Sequence, residues 1–304
     1  MSNKKYSGKA GNLLAQLDKL HKHNRQLSFK SKERYYDAAK RFCHFVSERF
    51  NLQKLANISG KHILAYVHDM QERGLSASTI KTELAAVRFY HDKISNARYE
   101  LPANDELDLE RRTFGGVDRA WSHAEYNRMI SLCWELEHED YAAIFTLARY
   151  GGLRIHECLR IDTAIAERTV RTGEITIKGK GGKIRSVVVN ESIQIELKKM
   201  LEITERGNKL FVNDGIQTHI AIKELQHFII NNREQVQDQD STRPMTFHGL
   251  RHLCATEWYL ALKDDGEGEE SARKIVSQRL GHERADVTRI YLASLERLEG
   301  GGNV

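Results

Sequence analysis

Proline occurs only twice in this chain, at Pro102 and Pro244. Proline removes a backbone donor and clashes with the preceding helical turn, so long stretches without it are free to run as helices. The apolar periodicity uses that freedom. Over residues 28–50, Tyr35, Ala39, Phe42, Val46 and Phe50 recur at spacings of three and four, which predicts an amphipathic helix. Lys32, Arg34, Lys40 and Arg41 lie largely off that stripe. A second helix is expected over 60–73, stopped by Gly74. A third starts where Ser76 or Ser78 can cap free amides and runs to about residue 95. Ile80, Leu84, Val87 and His91 share one side of it, and Lys81 and Arg88 another. Residues 10–24 add a short helix upstream.

Residues 99–119 lose this periodicity and carry Pro102 and a Gly115-Gly116 pair, so they are expected to link two domains, 1–98 and 120–304. In the second domain helices are expected over 123–135, 139–150 and 155–161. The period then drops to two. Residues 174–178 and 183–189 alternate and are rich in β-branched side chains around Gly179-Lys180-Gly181-Gly182, which predicts one β-hairpin. Helical patterns return over 191–204, 219–233, 248–262, 270–279 and about 285–298. The fold class is mainly α, with one small hairpin.

Composition narrows the function. Residues 1–60 hold 13 Lys and Arg against 4 Asp and Glu, while residues 121–304 hold 25 against 28. The basic excess at the N-terminus points to an acidic partner, nucleic acid foremost. The four cysteines, Cys43, Cys133, Cys158 and Cys254, lack metal-type spacing, which argues against a disulfide scaffold or zinc ribbon. No apolar run reaches the ~18–20 residues of a membrane span. A cytoplasmic location without membrane contact is expected.

Four short segments of the second domain carry the chemistry. Arg154 follows a glycine pair in Gly151-Gly152-Leu153-Arg154-Ile155-His156-Glu157. Lys180 sits in the glycine-rich hairpin tip, which continues to Lys183-Ile184-Arg185 and is not a Walker A loop. On a helix, His248, Arg251 and His252 of His248-Gly249-Leu250-Arg251-His252 point to one side. His282 follows Leu280-Gly281, and Tyr291 stands nine residues later. Each segment alone reads as ordinary surface, turn or core. Together they supply two guanidiniums that can fork onto one phosphate, two histidines, a lysine able to protonate a leaving oxygen and a tyrosine able to attack phosphorus. Phosphoryl transfer needs mainly positioning and charge stabilisation, so no cofactor or metal is expected.

These segments, in this order, resemble the boxes of the tyrosine recombinase (phage integrase) family. The N-terminal part, ending in SASTIKTELAAVRFYHDKI, is similar to that family's helical core-binding domain. The resemblance covers most of residues 28–295. It implies a two-domain DNA clamp, with an all-helical core-binding (SAM-like) domain and an α+β catalytic domain of the DNA breaking-rejoining type. It further implies that Arg154 and Arg251 clamp the scissile phosphate and that Lys180 is the general acid. His248 and His282 would serve acid–base and hydrogen-bonding roles, and Tyr291 would be the nucleophile forming a 3′-phosphotyrosyl bond. Expected partners are double-stranded recombination sites, further copies of the chain (a dimer on each site, a tetramer in synapse) and accessory directionality proteins. Lys32, Lys81 and Arg88 are the DNA-binding candidates of the first domain.

The chain departs from the family's pattern in three places. ALKDDGEGEESARK, between Arg251 and His282, is long and acidic and is expected as a loop away from DNA. RIDTAIAERTV lacks the usual Trp-x-Asp ending. Thirteen residues follow Tyr291, a short tail for exchange between protomers. Two rival functions are a type IB topoisomerase relaxing supercoils and a catalytically silent DNA-binding clamp.

Overall fold

The computed structural model describes residues 8–22, 29–111, 118–178, 184–239, 241–281 and 295. The chain divides into two compact units, residues 1–113 and 114–304.

The first unit is helical: α1 (Gly11–Lys22), α2 (Phe29–Phe50), α3 (Gly60–Glu72) and α4 (Ala77–His91). Ser76 is the cap of α4, its side chain accepting from the Thr79 amide at 3.3 Å. The expected stripe of α2 forms the core, where Phe42 and Val46 meet Leu13, Ile63, Met70 and Leu84, all essentially inaccessible. Glu83 is buried against this core and takes a two-pronged ion pair from Arg41 and a 3.2 Å bond from the Tyr66 hydroxyl.

Residues 99–111 belong to this unit, although their sequence reads as linker. Leu107 is buried in the first core and Leu101 and Leu109 pack against it. The same segment is where the side chains of Lys81 and Arg88 bond in this structure. Arg88 donates to the Pro102 carbonyl from Nε (2.9 Å) and Nη2 (2.6 Å) and to Asn104 from Nη1 (2.8 Å). Lys81 donates to the Glu110 carbonyl at 2.7 Å. Both side chains of the α4 face expected to enter a DNA groove thus bond to the chain's own segment 102–110. Lys32 is half-buried in α2.

In the second unit, α5 (His123–Glu135) starts with a capping box between Ser122 and Glu125. Helix α6 (Glu139–Gly151) is central, buried without a break from Ala142 to Arg149, and packs on α11 (Phe247–Asp264), α9 (Glu191–Ile203) and α5. Helix α7 (Ile155–Cys158) is a single turn, shorter than its sequence suggests, because Leu159 and Ile161 leave the helix to enter the core. Helix α8 (Thr163–Thr172) fills the segment lacking the Trp-x-Asp ending; Asp162 caps it, accepting from Ile165 N at 2.8 Å, and left-handed Gly173 ends it.

Strands β1 (Glu174–Lys178) and β2 (Ile184–Val188) pair antiparallel, with Lys178 opposite Ile184 and Ile177 opposite Arg185. Ile175, Ile177 and Val187 face the core. Helix α10 (Thr218–Val236) follows α9. The acidic segment expected as a loop is mostly helix: α11 runs to Asp264 and α12 (Glu269–Leu280) begins five residues on, leaving the four residues 265–268 as the connection. The helix expected over 285–298 lies outside the described residues apart from Leu295, which packs against the small cluster that includes Tyr259, Val276 and Leu280. No described helix is long and apolar enough to cross a membrane.

Candidate active site

Arg154 is aimed by a sharp change of direction. Helix α6 ends at Gly152, whose φ of +60° is left-handed. A methyl group there would lie 3.1 Å from Leu280 and 3.3 Å from Trp258, so both the backbone and the space select glycine. The chain then buries Leu153 and presents Arg154, in extended conformation, as the residue capping α7.

His248 comes from the first turn of α11. That turn is held down at Gly249, which presses against the Arg119 carbonyl and the Trp121 ring, where a methyl group would stand 2.4 and 2.5 Å away. The Trp121 indole also donates to the Thr246 carbonyl at 2.8 Å. Arg154 and His248 line one cleft of about 600 Å3, with His156, Gln226, His227 and the apolar side chains Ile229, Met245 and Phe247. Gln226 and His227 reach it from α10 and carry no sequence signal of that position.

The electrostatics of the cleft follow from who crowds it. Packing around the His248 ring, and then the charges of Arg251 and Arg154, lower its pKa below the ordinary 6.5, although the residue is exposed on its open side. His248 is therefore neutral at pH 7 and can accept or donate one proton. His252 lies beneath, edge-to-face with His248 at 5.2 Å, and burial followed by the influence of His248 pushes it down to about 3.

Glu157 ties the site together. Burial alone would raise its pKa, but bonds from the Arg185 side chain and the Arg154 amide, with the charges of both arginines, bring it down to about 2. Arg154 donates from Nη1 to Oε1 at 3.0 Å and from its backbone N to Oε2 at 2.8 Å. Arg185, on β2, donates from Nη1 to Oε1 and from Nη2 to Oε2, both at 2.8 Å. Glu157 and Arg185 appear in the sequence motifs, but nothing local marks them as partners.

The resemblance makes Arg251 the second arginine at the phosphate; in this structure its side chain is wholly buried. Its guanidinium donates to the carbonyls of Gly152 and Leu280, which close the C-terminal ends of α6 and α12. Such end carbonyls lack helical partners, and a buried guanidinium satisfies two at once. Its charge still bears on His248. The structure thus brings Arg154, His248 and Arg251 together, with Arg154 and His248 on the cleft. Lys180, His282 and Tyr291 lie outside the described residues. Left-handed Gly281 (φ +68°), immediately before His282, sits directly over the Arg185 side chain.

Residues 120–297 match the model of the phage integrase family. The chain belongs to the phage integrase family. These tyrosine recombinases cut and rejoin DNA strands in site-specific recombination. Residues 13–101 match the family's N-terminal SAM-like domain. Among curated relatives, tyrosine recombinase XerD of Bradyrhizobium diazoefficiens is 24% identical over 255 residues, 76% of each chain. Among solved structures, XerH site-specific recombinase bound to palindromic difH substrate superposes with a TM-score of 0.62 at 20% identity, covering 96% of this chain and 84% of that one. A lambda integrase dimer bound to a COC′ core site gives 0.62 at 17% identity, covering 92% and 77%. At these identities the superpositions show the fold, mainly helical with a two-stranded sheet.

Proposed function

We propose that this phage integrase family member cleaves each DNA strand through a covalent 3′-phosphotyrosyl intermediate and passes the end to a partner strand, giving integration, excision or resolution. The Tyr291 oxygen attacks the scissile phosphorus while the bond from phosphorus to the 5′ oxygen breaks. Lys180 delivers a proton to that oxygen, leaving a free 5′-hydroxyl. A free phenol has a pKa of ~10 and is a poor nucleophile at neutral pH, so the attack needs positive charge and an acceptor for its proton. Arg154 binds the non-bridging oxygens, and neutral His248, with His282, handles protons beside it. Arg251 contributes its charge from below.

The observation that supports this reading best is the cleft that Arg154 and His248 share. Its partner is double-stranded DNA, bound by a dimer on each site and a tetramer in synapsis, with accessory proteins able to set direction, and its location is the cytoplasm. The DNA-bound forms of XerH and lambda integrase support the choice of partner. Tyr291→Phe loses one hydroxyl, so it should fold and bind but form no covalent adduct with nicked site DNA. A shifted adduct band on a denaturing gel with this variant would overturn the mechanism. Joining between two DNA molecules separates recombination from topoisomerase-type relaxation.

A further inference from the structure

A buried carboxylate beside a phosphate-binding arginine is a hazard. It repels the phosphate, and it offers the guanidinium a fork-to-fork partner that would neutralise it. Glu157 is such a carboxylate, 3% exposed and next to Arg154. Its four hydrogen-bonding positions are all filled, two by Arg185, one by the Arg154 amide and one by Arg154 Nη1. Arg154 is thereby left with a single side-chain bond to Glu157, while its side chain remains 27% exposed and lines the cleft.

We propose that Arg185 is a positioning residue for Arg154: by holding both oxygens of Glu157 it keeps the Arg154 guanidinium available to the scissile phosphate. This rests on the reading of Arg154 as the phosphate-binding arginine. Charge points the same way. Arg154, Glu157 and Arg185 together carry one net positive charge, whereas Arg154 and Glu157 alone carry none. The neighbours of Arg185 hold it to this task. Its strand is fixed by the pairing with Ile177 and by buried Val187. Its side chain is 11% exposed, roofed by Gly281, where a methyl group would stand 2.9 Å from Arg185 Cδ. Without Arg185, two vacant positions on Glu157 would draw in the remaining donors of Arg154.

The test is single-turnover cleavage of nicked site DNA, the site being defined by footprinting, with either the natural scissile phosphate or a neutral methylphosphonate in its place. The neutral centre needs no arginine charge. Arg185→Met should cleave the phosphate about 100-fold more slowly than the natural protein, the loss typical of a misplaced charge-stabilising donor. It should cleave the methylphosphonate within about threefold of the natural protein. Glu157→Gln added to Arg185→Met should recover at least about tenfold on the phosphate, because the neutral amide no longer neutralises Arg154. Equal slowing on both substrates, or no slowing on either, would overturn the proposal. Arg154→Ala on the same two substrates tests the underlying reading separately: a loss without preference for the neutral substrate would reject that reading rather than the role of Arg185. Should Arg185→Met fail to fold, Arg185→Lys keeps the charge but not the fork. It should show a smaller loss, again confined to the phosphate, and the absence of that selectivity would equally overturn the proposal.

Discussion

Gly249 and Trp121 touch so closely that no side chain larger than hydrogen fits between them; a methyl group on Gly249 would stand 2.5 Å from the indole Cδ1 and 2.4 Å from the Arg119 carbonyl. The contact fixes the turn that carries His248. Gly249→Ala should therefore destabilise the protein by about 2–3 kcal/mol, the upper range for an overpacked core, since a backbone carbonyl cannot swing aside as a side chain can. Urea unfolding reads this directly, and an unchanged midpoint would refute it. Cleavage should fall further than stability alone explains, because His248 moves with the turn.

The buried imidazole beneath the site sets an acid limit. His252 is 2% exposed and its pKa is pushed down to about 3, from an ordinary 6.5. The unfolded chain binds the proton more readily, so stability rises with pH between those values and is lost as pH falls from 6.5. One such group contributes a slope of up to about 1.4 kcal/mol per pH unit. Glu157, held near 2, adds a loss of the same sign below its ordinary 4.5. Denaturation series at pH 7, 6 and 5 should show the slope, and His252→Gln should reduce it. A flat series would contradict the assignment.

Arg88 and Lys32 should behave oppositely towards DNA. Arg88→Ala removes three bonds to the 102–104 segment, so it should cost about 1–2 kcal/mol of stability and leave the preference for site over scrambled DNA unchanged. Lost discrimination in a competition assay would restore a base-reading role. Lys32→Ala should leave stability alone and lower the slope of log affinity against log salt by about one, the signature of a single phosphate contact.

Lys180 is the proposed acid, ahead of Lys178 and Lys183, because in sequence it lies between two glycines in Gly179-Lys180-Gly181, while Lys178 ends β1 opposite Ile184. Lys180→Ala should slow cleavage with little effect on binding. A 5′-thiolate leaving group needs no proton, so replacing the bridging oxygen with sulfur should restore the rate. Rescue seen only for Lys183→Ala would move the role.

The hairpin was legible because alternation is a local signal: Ile175 and Ile177 against exposed Glu174, Thr176 and Lys178 state both the strand and its inner face. The α2 stripe was legible for the same reason, as a helix buries what it repeats. Helix α8 was not expected. Its threonines, isoleucine and valine read as poorly helical, and the element depends on Asp162 at one end and Gly173 at the other.

The sequence by itself determined most of the element types and limits and the order of the motif boxes, because periodicity, caps and motif spacing are written within a few residues of one another. Tertiary structure alone decided what each arginine does. Arg154, Arg185 and Arg251 look alike as residues, and their fates were set by distant groups: a carboxylate 28 residues from Arg185, and carbonyls 99 and 29 residues from Arg251. A buried guanidinium must find acceptors wherever folding places them. Only the folded chain could bring the Gly152 and Leu280 carbonyls to one arginine, saturate Glu157 with another and leave the third facing the cleft.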